Sequence, residues 1–298
     1  MPTAALPQGT IHYAETGRGR PVVFVHGYLM AGDLWQRLAG ELAARGYRCI
    51  APTWPLGAQP EPMAPAADLT PTGLAALVAA FIAELGLEDA ALVGNDTGGA
   101  VCQIVAAEHP DSIGALVLTN CDAFENFPPS FFKALVVAAA IPGAIGALLQ
   151  PFRAGVVRRS PLGYGLLSRD GVDELAREWV RRPLGSAAIR RDLRKVTRAL
   201  RPRYTLDAAA KLARFDKPAL VAWAPGDRLF PEEHGRRLAA LLPQGRFELV
   251  ADSATFSMVD QPAALAALIA GRLEDARPMA SAVTARPRQP GGLGGAGA

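Results

Sequence analysis

The segment "ALVGNDTGGAVCQ", residues 91–103, places a carboxylate where it could do chemistry. Asp96 follows an apolar run and precedes a helical pattern, with Gly94 and Gly98 two positions away on either side. A glycine, any residue, a nucleophile, any residue and a second glycine form the pattern of a nucleophile elbow between a strand and a helix. The amides at the helix N-terminus favour an anion at the apex. Asp96 is therefore a candidate nucleophile, and an aspartate that merely caps the helix is the alternative.

The elements that would position Asp96 follow from the periodicity of the chain. Continuous apolar runs such as "RPVVFVHGYL" and "IGALVLTNC" are typical of strands buried on both faces. They alternate with segments that carry apolar residues at helical spacing, such as "GDLWQRLAGELAARG". This alternation predicts an α/β fold with a doubly wound, mostly parallel sheet.

The alternation stops after "ALVLTN" and resumes at "KPALVAWAPGD". Only helical patterns lie between these segments, so we expect a helical cap inserted into the sheet domain. The expected division is a core of residues 1–126 and 206–275, a cap of residues 127–205, and a disordered tail of residues 276–298, where apolar content is low.

Composition narrows the classes of function. The chain of 298 residues has a formal net charge of +3, and its basic residues form no stripe with interleaved aromatics, so no nucleic acid partner is expected. Three separated cysteines in apolar surroundings predict buried free thiols. The sequence shows no secretory signal, no membrane span, and no metal or nucleotide motif. We expect a cytoplasmic protein without a cofactor.

Five segments carry a resemblance to a known family: "FVHGYL", "VGNDTGGA", "LVLTNCD", "WAPGDRLFP" and "SATFSMVDQP". Together they resemble the haloalkane dehalogenase and epoxide hydrolase branch of the α/β-hydrolase fold, over roughly residues 10–275. The resemblance implies an aspartate nucleophile that attacks carbon and forms an alkyl ester. A carboxylate is ionised at neutral pH and needs no base for that attack.

The resemblance also implies roles for other residues. Asp96 matches the nucleophile, and the backbone amides of Tyr28 and Thr97 match the oxyanion hole. Asp227 in "APGDRLFP" matches the triad acid, although Pro-Gly-Asp is also a common turn. The alternative position for the acid, after the strand "ALVLTN", holds Asn120.

The sequence departs from the family where the triad histidine belongs. Alignment on "FSMVDQP" puts Thr255 at the histidine position and Ala254 at the preceding glycine. A threonine is not a general base at neutral pH without help. Of the four histidines in the chain, His234 is the nearest to a substitute, but "PEEHGRRL" is typical of a solvated helix face.

Further departures concern the leaving group. Dehalogenases of this branch usually carry a tryptophan directly after the nucleophile, where this chain has Thr97. Epoxide hydrolases use tyrosines of the cap as acids; Tyr164 and Tyr204 lie in or beside the cap, but no motif selects either.

We expect a pocket for a small apolar substrate beneath the cap, lined by the apolar helices that run from Phe131 to Leu149. Asn120 and Trp35 are further candidates for its wall, with core packing as the alternative for the aromatic. The favoured function is an α/β-hydrolase-fold enzyme that acts on an alkyl halide, epoxide or ester-like substrate through Asp96, with impaired hydrolysis. The alternatives are a lyase, isomerase or cyclase that uses Asp96 as acid or base, and a catalytically silent ligand-binding protein.

Overall fold

A computed structural model describes residues 1–275, apart from the side chain of Phe131. Within these residues one eight-stranded sheet has the order β1-β2-β4-β3-β5-β6-β7-β8. Its strands are β1 (Thr3–Leu6), β2 (Gly9–Thr16), β3 (Arg20–Val25), β4 (Tyr47–Pro52), β5 (Ala91–Asp96), β6 (Ala115–Cys121), β7 (Ala219–Trp223) and β8 (Gly245–Leu249). β2 pairs antiparallel with β1 and β4, and the other pairs are parallel. The predicted α/β-hydrolase architecture is confirmed.

Helices connect the parallel strands. They are α1 (Gln36–Ala44), α2 (Pro71–Glu84), α3 (Thr97–Glu108), α4 (Lys133–Ala138), α5 (Ala144–Leu149), α6 (Gly155–Arg158), α7 (Asp173–Gly185), α8 (Ala187–Ala199), α9 (Pro202–Leu212), α10 (Glu232–Leu241), α11 (Ser257–Asp260) and α12 (Pro262–Asp275). The N-terminus of α2 shows why such helices begin where they do. Thr70 accepts a hydrogen bond from the amide of Gly73, and Pro71 occupies the first turn, where its missing N–H costs nothing.

The core occupies both faces of the sheet. In β3, Val23 and Val25 pack in one cluster with residues of α2, α3, α9 and α10, whereas Val22 and Phe24 pack in a second cluster with α1 and α12. Successive side chains of a strand point to opposite faces, so a strand covered on both sides must be apolar throughout. The three cysteines are buried and free, as predicted.

Within the described residues, the chain between β6 and β7 forms α4 to α9 and short 3₁₀ turns. Pro142 and Gly143 separate two short helices, α4 and α5. The expected cap boundary at residues 205 and 206 falls inside α9, because Pro202 already begins that helix. The expected disordered tail, residues 276–298, lies outside the described residues.

Helix α8 fastens this helical segment to the rest of the molecule. Its apolar stripe of Ile189, Leu193 and Val196 is buried, as its periodicity predicts. On the same helix Asp192 is fully buried and accepts a hydrogen bond of 2.7 Å from the backbone amide of Met63. The buried carboxylate also pairs with Arg191 at 2.7 Å, which offsets the cost of removing its charge from water.

Candidate active site

Asp96 lies at a strained bend between β5 and α3. Its backbone has φ 55° and ψ −134°, a left-handed conformation that a residue with a side chain rarely adopts. The bend brings segments so close that a Cβ on Gly94 would lie 2.6 Å from Cys102 Sγ, and one on Gly98 would lie 2.2 Å from the Val25 carbonyl oxygen. Both glycines of the sequence pattern are therefore required by the space available.

Two backbone amides bind one oxygen of the Asp96 carboxyl group. Asp96 Oδ1 accepts hydrogen bonds from the amide of Thr97 at 2.6 Å and from the amide of Tyr28 at 3.1 Å. The loop that carries Tyr28 comes this close because Gly27 has no side chain; a Cβ there would lie 2.2 Å from Asp96 Oδ1. Both amides bind Oδ1, and neither binds Oδ2.

Burial and hydrogen bonding act against each other on Asp96. Only 8% of the residue is exposed, and this burial raises the pKa of the carboxyl group above its ordinary value. The amides of Thr97 and Tyr28 favour the ionised form and lower the pKa, whereas the negative charge of Asp227 raises it. The net direction is upward, so Asp96 is a stronger base than a carboxylate in water.

Asp227 receives hydrogen bonds on both oxygens. Its Oδ1 accepts from the amides of Leu229 at 2.8 Å and Phe230 at 3.1 Å. Its Oδ2 accepts from Thr255 Oγ1 at 2.7 Å and from Asn120 Nδ2 at 2.9 Å. The structure thus joins Asp227 to Thr255, the two residues that the sequence placed at the acid and histidine positions.

The prediction that Asn120 lines the substrate pocket is wrong. Asn120 is fully buried below the site, where its Oδ1 accepts from the amide of Ala224 at 2.7 Å. Its Nδ2 donates to the Ala224 carbonyl and to Asp227. The side-chain amide therefore holds the loop that carries Asp227 in place through these hydrogen bonds, and Asn120 is not among the residues that line the cavity.

None of the four histidines hydrogen-bonds Asp96 within residues 1–275. His26 Nε2 accepts from the amide of Trp54 at 2.8 Å, and burial lowers the pKa of this ring to about 4. His12 pairs with Glu61 at 2.7 Å, and His109 ends α3. The described chain therefore places no imidazole in hydrogen-bond contact with Asp96.

His234 does not lie on a solvated helix face, contrary to the expectation. Only 9% of it is exposed, and its ring packs edge-on against Phe124 with centroids 5.7 Å apart. Burial lowers its pKa, which the charge of Glu125 partly offsets. His234 is not among the residues that line the cavity.

A cavity of about 730 Å³ opens in front of Asp96. The lining residues with polar side chains are Tyr28, Asp96, Thr97, Asp122, Tyr164 and Arg228. The remaining wall is largely apolar and comes from α4, α5 and the turns that follow, with residues such as Leu135, Val136, Ile145, Leu149, Phe152 and Leu166. A predominantly apolar pocket of this size with a few convergent polar groups is typical of a site for a small molecule.

Two aromatic candidates for the pocket wall have different outcomes. Trp35 does not line the cavity: it is fully buried in the second core cluster, where its ring stacks on Phe24 with centroids 4.9 Å apart. The sequence could not separate this packing role from a pocket role, since both require an apolar helical face. The side chain of Phe131 lies outside what the structure describes, while its neighbour Phe132 lines the cavity.

Asp122 is a residue of the site that the sequence did not single out. It follows the end of β6, is 1% exposed and lines the cavity beside Asp96. Its Oδ2 accepts a hydrogen bond of 3.1 Å from Thr97 Oγ1, and its Oδ1 is buried without a hydrogen-bond partner among the described residues. Burial and the charge of Asp96 raise the pKa of Asp122 well above its ordinary value. The segment "LVLTNCD" contains Asp122, but the family pattern assigns a role only to the position that Asn120 holds.

Two features are absent from residues 1–275. This part of the chain contains no cluster of three or more His, Cys, Asp or Glu side chains placed to hold a metal ion. It also contains no helix that is long and apolar enough to cross a membrane.

Known proteins share this architecture. The alpha/beta hydrolase fold family matches residues 20–262. Haloalkane dehalogenase 2 of Mycobacterium bovis is 26% identical over 284 residues, which cover 89% of this chain and 92% of the relative. The 2-hydroxy-6-oxo-6-phenylhexa-2,4-dienoate hydrolase of Burkholderia cepacia is 25% identical over 248 residues, or 80% and 82% of the two chains.

Solved structures superpose over nearly the whole chain. The ancestral haloalkane dehalogenase AncHLD2 has a TM-score of 0.73 at 24% identity and covers 92% of this chain and 99% of its own. A thermophilic esterase from Thermogutta terrifontis has a TM-score of 0.72 at 20% identity and covers 92% and 98%. At these identities the likeness shows the fold alone, because one fold supports many functions.

Proposed function

The chain belongs to the α/β-hydrolase family, and we propose that it is an enzyme in which Asp96 attacks a carbon of a small apolar electrophile. The observation that carries this proposal is the pair of amides on Asp96 Oδ1, at 2.6 Å and 3.1 Å, beneath an apolar cavity. Its curated relatives include a 2-hydroxy-6-oxo-6-phenylhexa-2,4-dienoate hydrolase and a haloalkane dehalogenase, whose names are consistent with this chemistry.

The placement of the amides suits an aspartate nucleophile. In the ester that forms, the carbonyl oxygen belongs to the enzyme's own carboxyl group. Amides that hold Oδ1 before the reaction therefore already hold the carbonyl oxygen of the product ester, and they stabilise the negative charge that develops there when water attacks. A serine nucleophile would instead require these amides to be open for an oxygen of the substrate.

The cavity favours a substrate with a short hydrocarbon body, such as an alkyl halide, an epoxide or an apolar ester. Its wall is built from leucine, valine, isoleucine and phenylalanine side chains, which gain free energy by leaving water together with an apolar ligand. We propose that residues 127–205 act as the cap that supplies this wall, and that residues 1–126 and 206–275 form the core that holds the catalytic groups.

We propose that hydrolysis of the ester is slow. In the proposed triad, Asp227 is the acid and Thr255 stands where a general base is needed. Thr255 donates its hydroxyl proton to Asp227 at 2.7 Å, but a threonine hydroxyl has no basic site that takes a proton from water at neutral pH. The ester on Asp96 should therefore accumulate, because a histidine at position 255 would contribute a factor of about 10²–10⁴ to its removal.

Intact mass spectrometry tests the proposal. Hexyl bromide and hexene oxide should each add one equivalent of the expected mass to the protein, and the added mass should map to the peptide that contains Asp96. The Asp96→Asn variant keeps the size of the side chain but removes the nucleophile, so it should gain no mass. Rapid multiple turnover without any adduct, or an adduct that the variant also forms, would refute the proposal.

A further inference from the structure

A second buried carboxyl group in the site has no role in the chemistry described so far. Asp122 follows Cys121, which pairs with Asp96 across the edge of the sheet, and the amide of Asp122 donates to the Asp96 carbonyl at 3.3 Å. Thr97 links the two side chains, since its amide binds Asp96 Oδ1 and its hydroxyl binds Asp122 Oδ2. The two carboxyl groups are thus neighbours on the floor of one cavity.

The surroundings decide which of the two carries the negative charge. Asp96 accepts two backbone amides, whereas Asp122 accepts one hydroxyl and leaves Oδ1 without a partner within the described residues. Hydrogen bonds from amides favour the ionised form, and two adjacent buried carboxylates do not both stay ionised. In the free protein, Asp96 is therefore the anion and Asp122 the neutral acid, and the pair carries a single charge.

Resting on the function proposed above, we propose that Asp122 is the general base that hydrolyses the Asp96 ester, in place of the absent histidine. Burial and, after it, the charge of Asp96 raise the pKa of Asp122. Formation of the ester neutralises Asp96 and removes the second of these effects, so the pKa of Asp122 falls; because burial remains, hydrolysis stays slow. Asp122 then releases its proton to solvent and becomes the only carboxylate of the pair. The charge passes to Asp122 at the moment when the reaction first needs a base.

The position of Asp122 fits this role. Water must attack the Asp96 Cγ, so the base has to stand beside Asp96, on the floor of the cavity. Asp122 lines the cavity with Asp96, and its carboxyl group accepts a single hydrogen bond among the described residues, from Thr97 Oγ1 to Oδ2. A buried oxygen without a partner is costly in a folded protein, which favours a functional reason for its placement.

The atoms and charges balance over the cycle. Water forms a bond to Cγ as its proton passes to the Asp122 carboxylate, and the oxyanion is held by the amides of Tyr28 and Thr97. The bond between Cγ and the alkyl oxygen then breaks, and the leaving alkoxide takes the proton from Asp122. The proton on the regenerated Asp96 carboxyl group passes to Asp122, which restores the starting state.

The test measures formation and decay of the ester separately on the Asp122→Asn variant. Asparagine keeps the size of the side chain and still accepts a hydrogen bond from Thr97, but it cannot take a proton. After a pulse of hexyl bromide, mass spectrometry should show adduct formation within about threefold of the unmodified protein and decay slowed by about 10²-fold or more, the size of a general-base effect. Asp111→Asn, the same change at an exposed site, should alter neither rate.

A second variant distinguishes a chemical role from a structural one. Asp122→Ala should also decay slowly, and added formate should restore decay because it supplies a carboxylate to the space that the side chain leaves. Decay of the Asp122→Asn adduct at the rate of the unmodified protein would overturn the inference. Equal slowing of ester formation and ester decay in both variants would also overturn it, because Asp122 would then be a positioning residue. If the unmodified protein forms no ester and no product, the proposed function fails instead, and this inference falls with it.

Discussion

The two oxygens of the Asp96 carboxyl group differ in their surroundings, and the proposed chemistry depends on that difference. Oδ1 is fixed by the amides of Thr97 and Tyr28, while Oδ2 has no amide donor. The same contrast separates Asp96 from Asp122, whose Oδ1 lacks any partner within the described residues. At the scale of single residues, we therefore propose that backbone amides select which carboxyl group is ionised and which of its oxygens attacks.

The Thr255→His substitution should speed hydrolysis of the ester. Thr255 Oγ1 lies 2.7 Å from Asp227 Oδ2, so an imidazole at this position would have its acid partner already in place. We expect the lifetime of the hexyl ester to fall by about tenfold or more, within the range of a general-base effect. Mass spectrometry measures the decay of the adduct. An unchanged lifetime in a folded variant would show that Asp96 and Asp227 are not placed to use a histidine at position 255.

The rate of ester formation should rise with pH. Burial raises the pKa of Asp96 above its ordinary value, and only the ionised carboxylate attacks. Below the raised pKa the group is protonated and inert, so the rate should increase as the pH rises through it, with a midpoint above the ~3.9 of an aspartate in water. Initial rates with hexyl bromide at a series of pH values test this, and a rate that falls as pH rises is the opposite result.

At the scale of elements, three segments converge on the nucleophile. β5 ends at Asp96, α3 begins at Thr97, and the loop after β3 brings Tyr28 within hydrogen-bond distance. Parallel strands end at the same edge of a sheet, which is why loops that are far apart in sequence meet there. The glycines at this junction are required by contacts between the segments, since a Cβ at Gly27, Gly94 or Gly98 would lie within 2.6 Å of another atom.

The Gly27→Ala substitution should abolish ester formation. Its Cβ would lie 2.2 Å from Asp96 Oδ1, so either the loop or the carboxyl group must move, and the two amides would lose their alignment. We expect a loss of about 10²-fold or more in the rate, comparable to removing one donor of an oxyanion hole. Gly271→Ala is the matched control, because a Cβ there meets nothing within 4 Å. Alkylation of the Gly27→Ala variant at the rate of the unmodified protein would contradict the close contact between residue 27 and the Asp96 carboxyl group.

At the scale of the whole molecule, hydrogen bonds tie the helical segment to the loop that carries Tyr28. Tyr28 Oη lies 2.7 Å from Thr197 Oγ1 of α8, and Tyr164 Oη donates to the Leu29 carbonyl at 2.7 Å. Trp179 of α7 donates to Asp33 at 2.6 Å. The segment that forms the cavity wall is thus joined to the loop that forms the cavity floor.

The Tyr164→Phe substitution should weaken this connection. It leaves the buried Leu29 carbonyl without its donor, which costs about 1–3 kcal/mol of the free energy of unfolding. We also expect slower ester formation, because Leu29 follows the residue whose amide binds Asp96. Urea unfolding measures the loss. Tyr204→Phe, whose hydroxyl bonds only Arg203 at the surface among the described residues, should leave the unfolding free energy nearly unchanged; equal losses in the two variants would contradict the assignment.

The sequence predicted the sheet because strand periodicity and helix periodicity differ, and the bend at Asp96 because its glycines are visible. It could not show that Trp35 packs against Phe24 and not in the pocket, since burial in a core and lining of a cavity select the same residue types. The sequence also did not show that Asp122 lies next to Asp96, because this proximity depends on the register between β5 and β6. Contacts between segments that are distant in the sequence arise only when the chain packs, so the local periodicity of apolar residues does not predict them.

A crystal soaked with hexyl bromide tests the central claim most directly. We expect electron density continuous from Asp96 Oδ2 into the cavity beneath α4 and α5, while Oδ1 keeps its hydrogen bonds to the amides of Thr97 and Tyr28. A hexyl group that occupies the cavity without a bond to Asp96, or one bonded to another residue, would contradict the account.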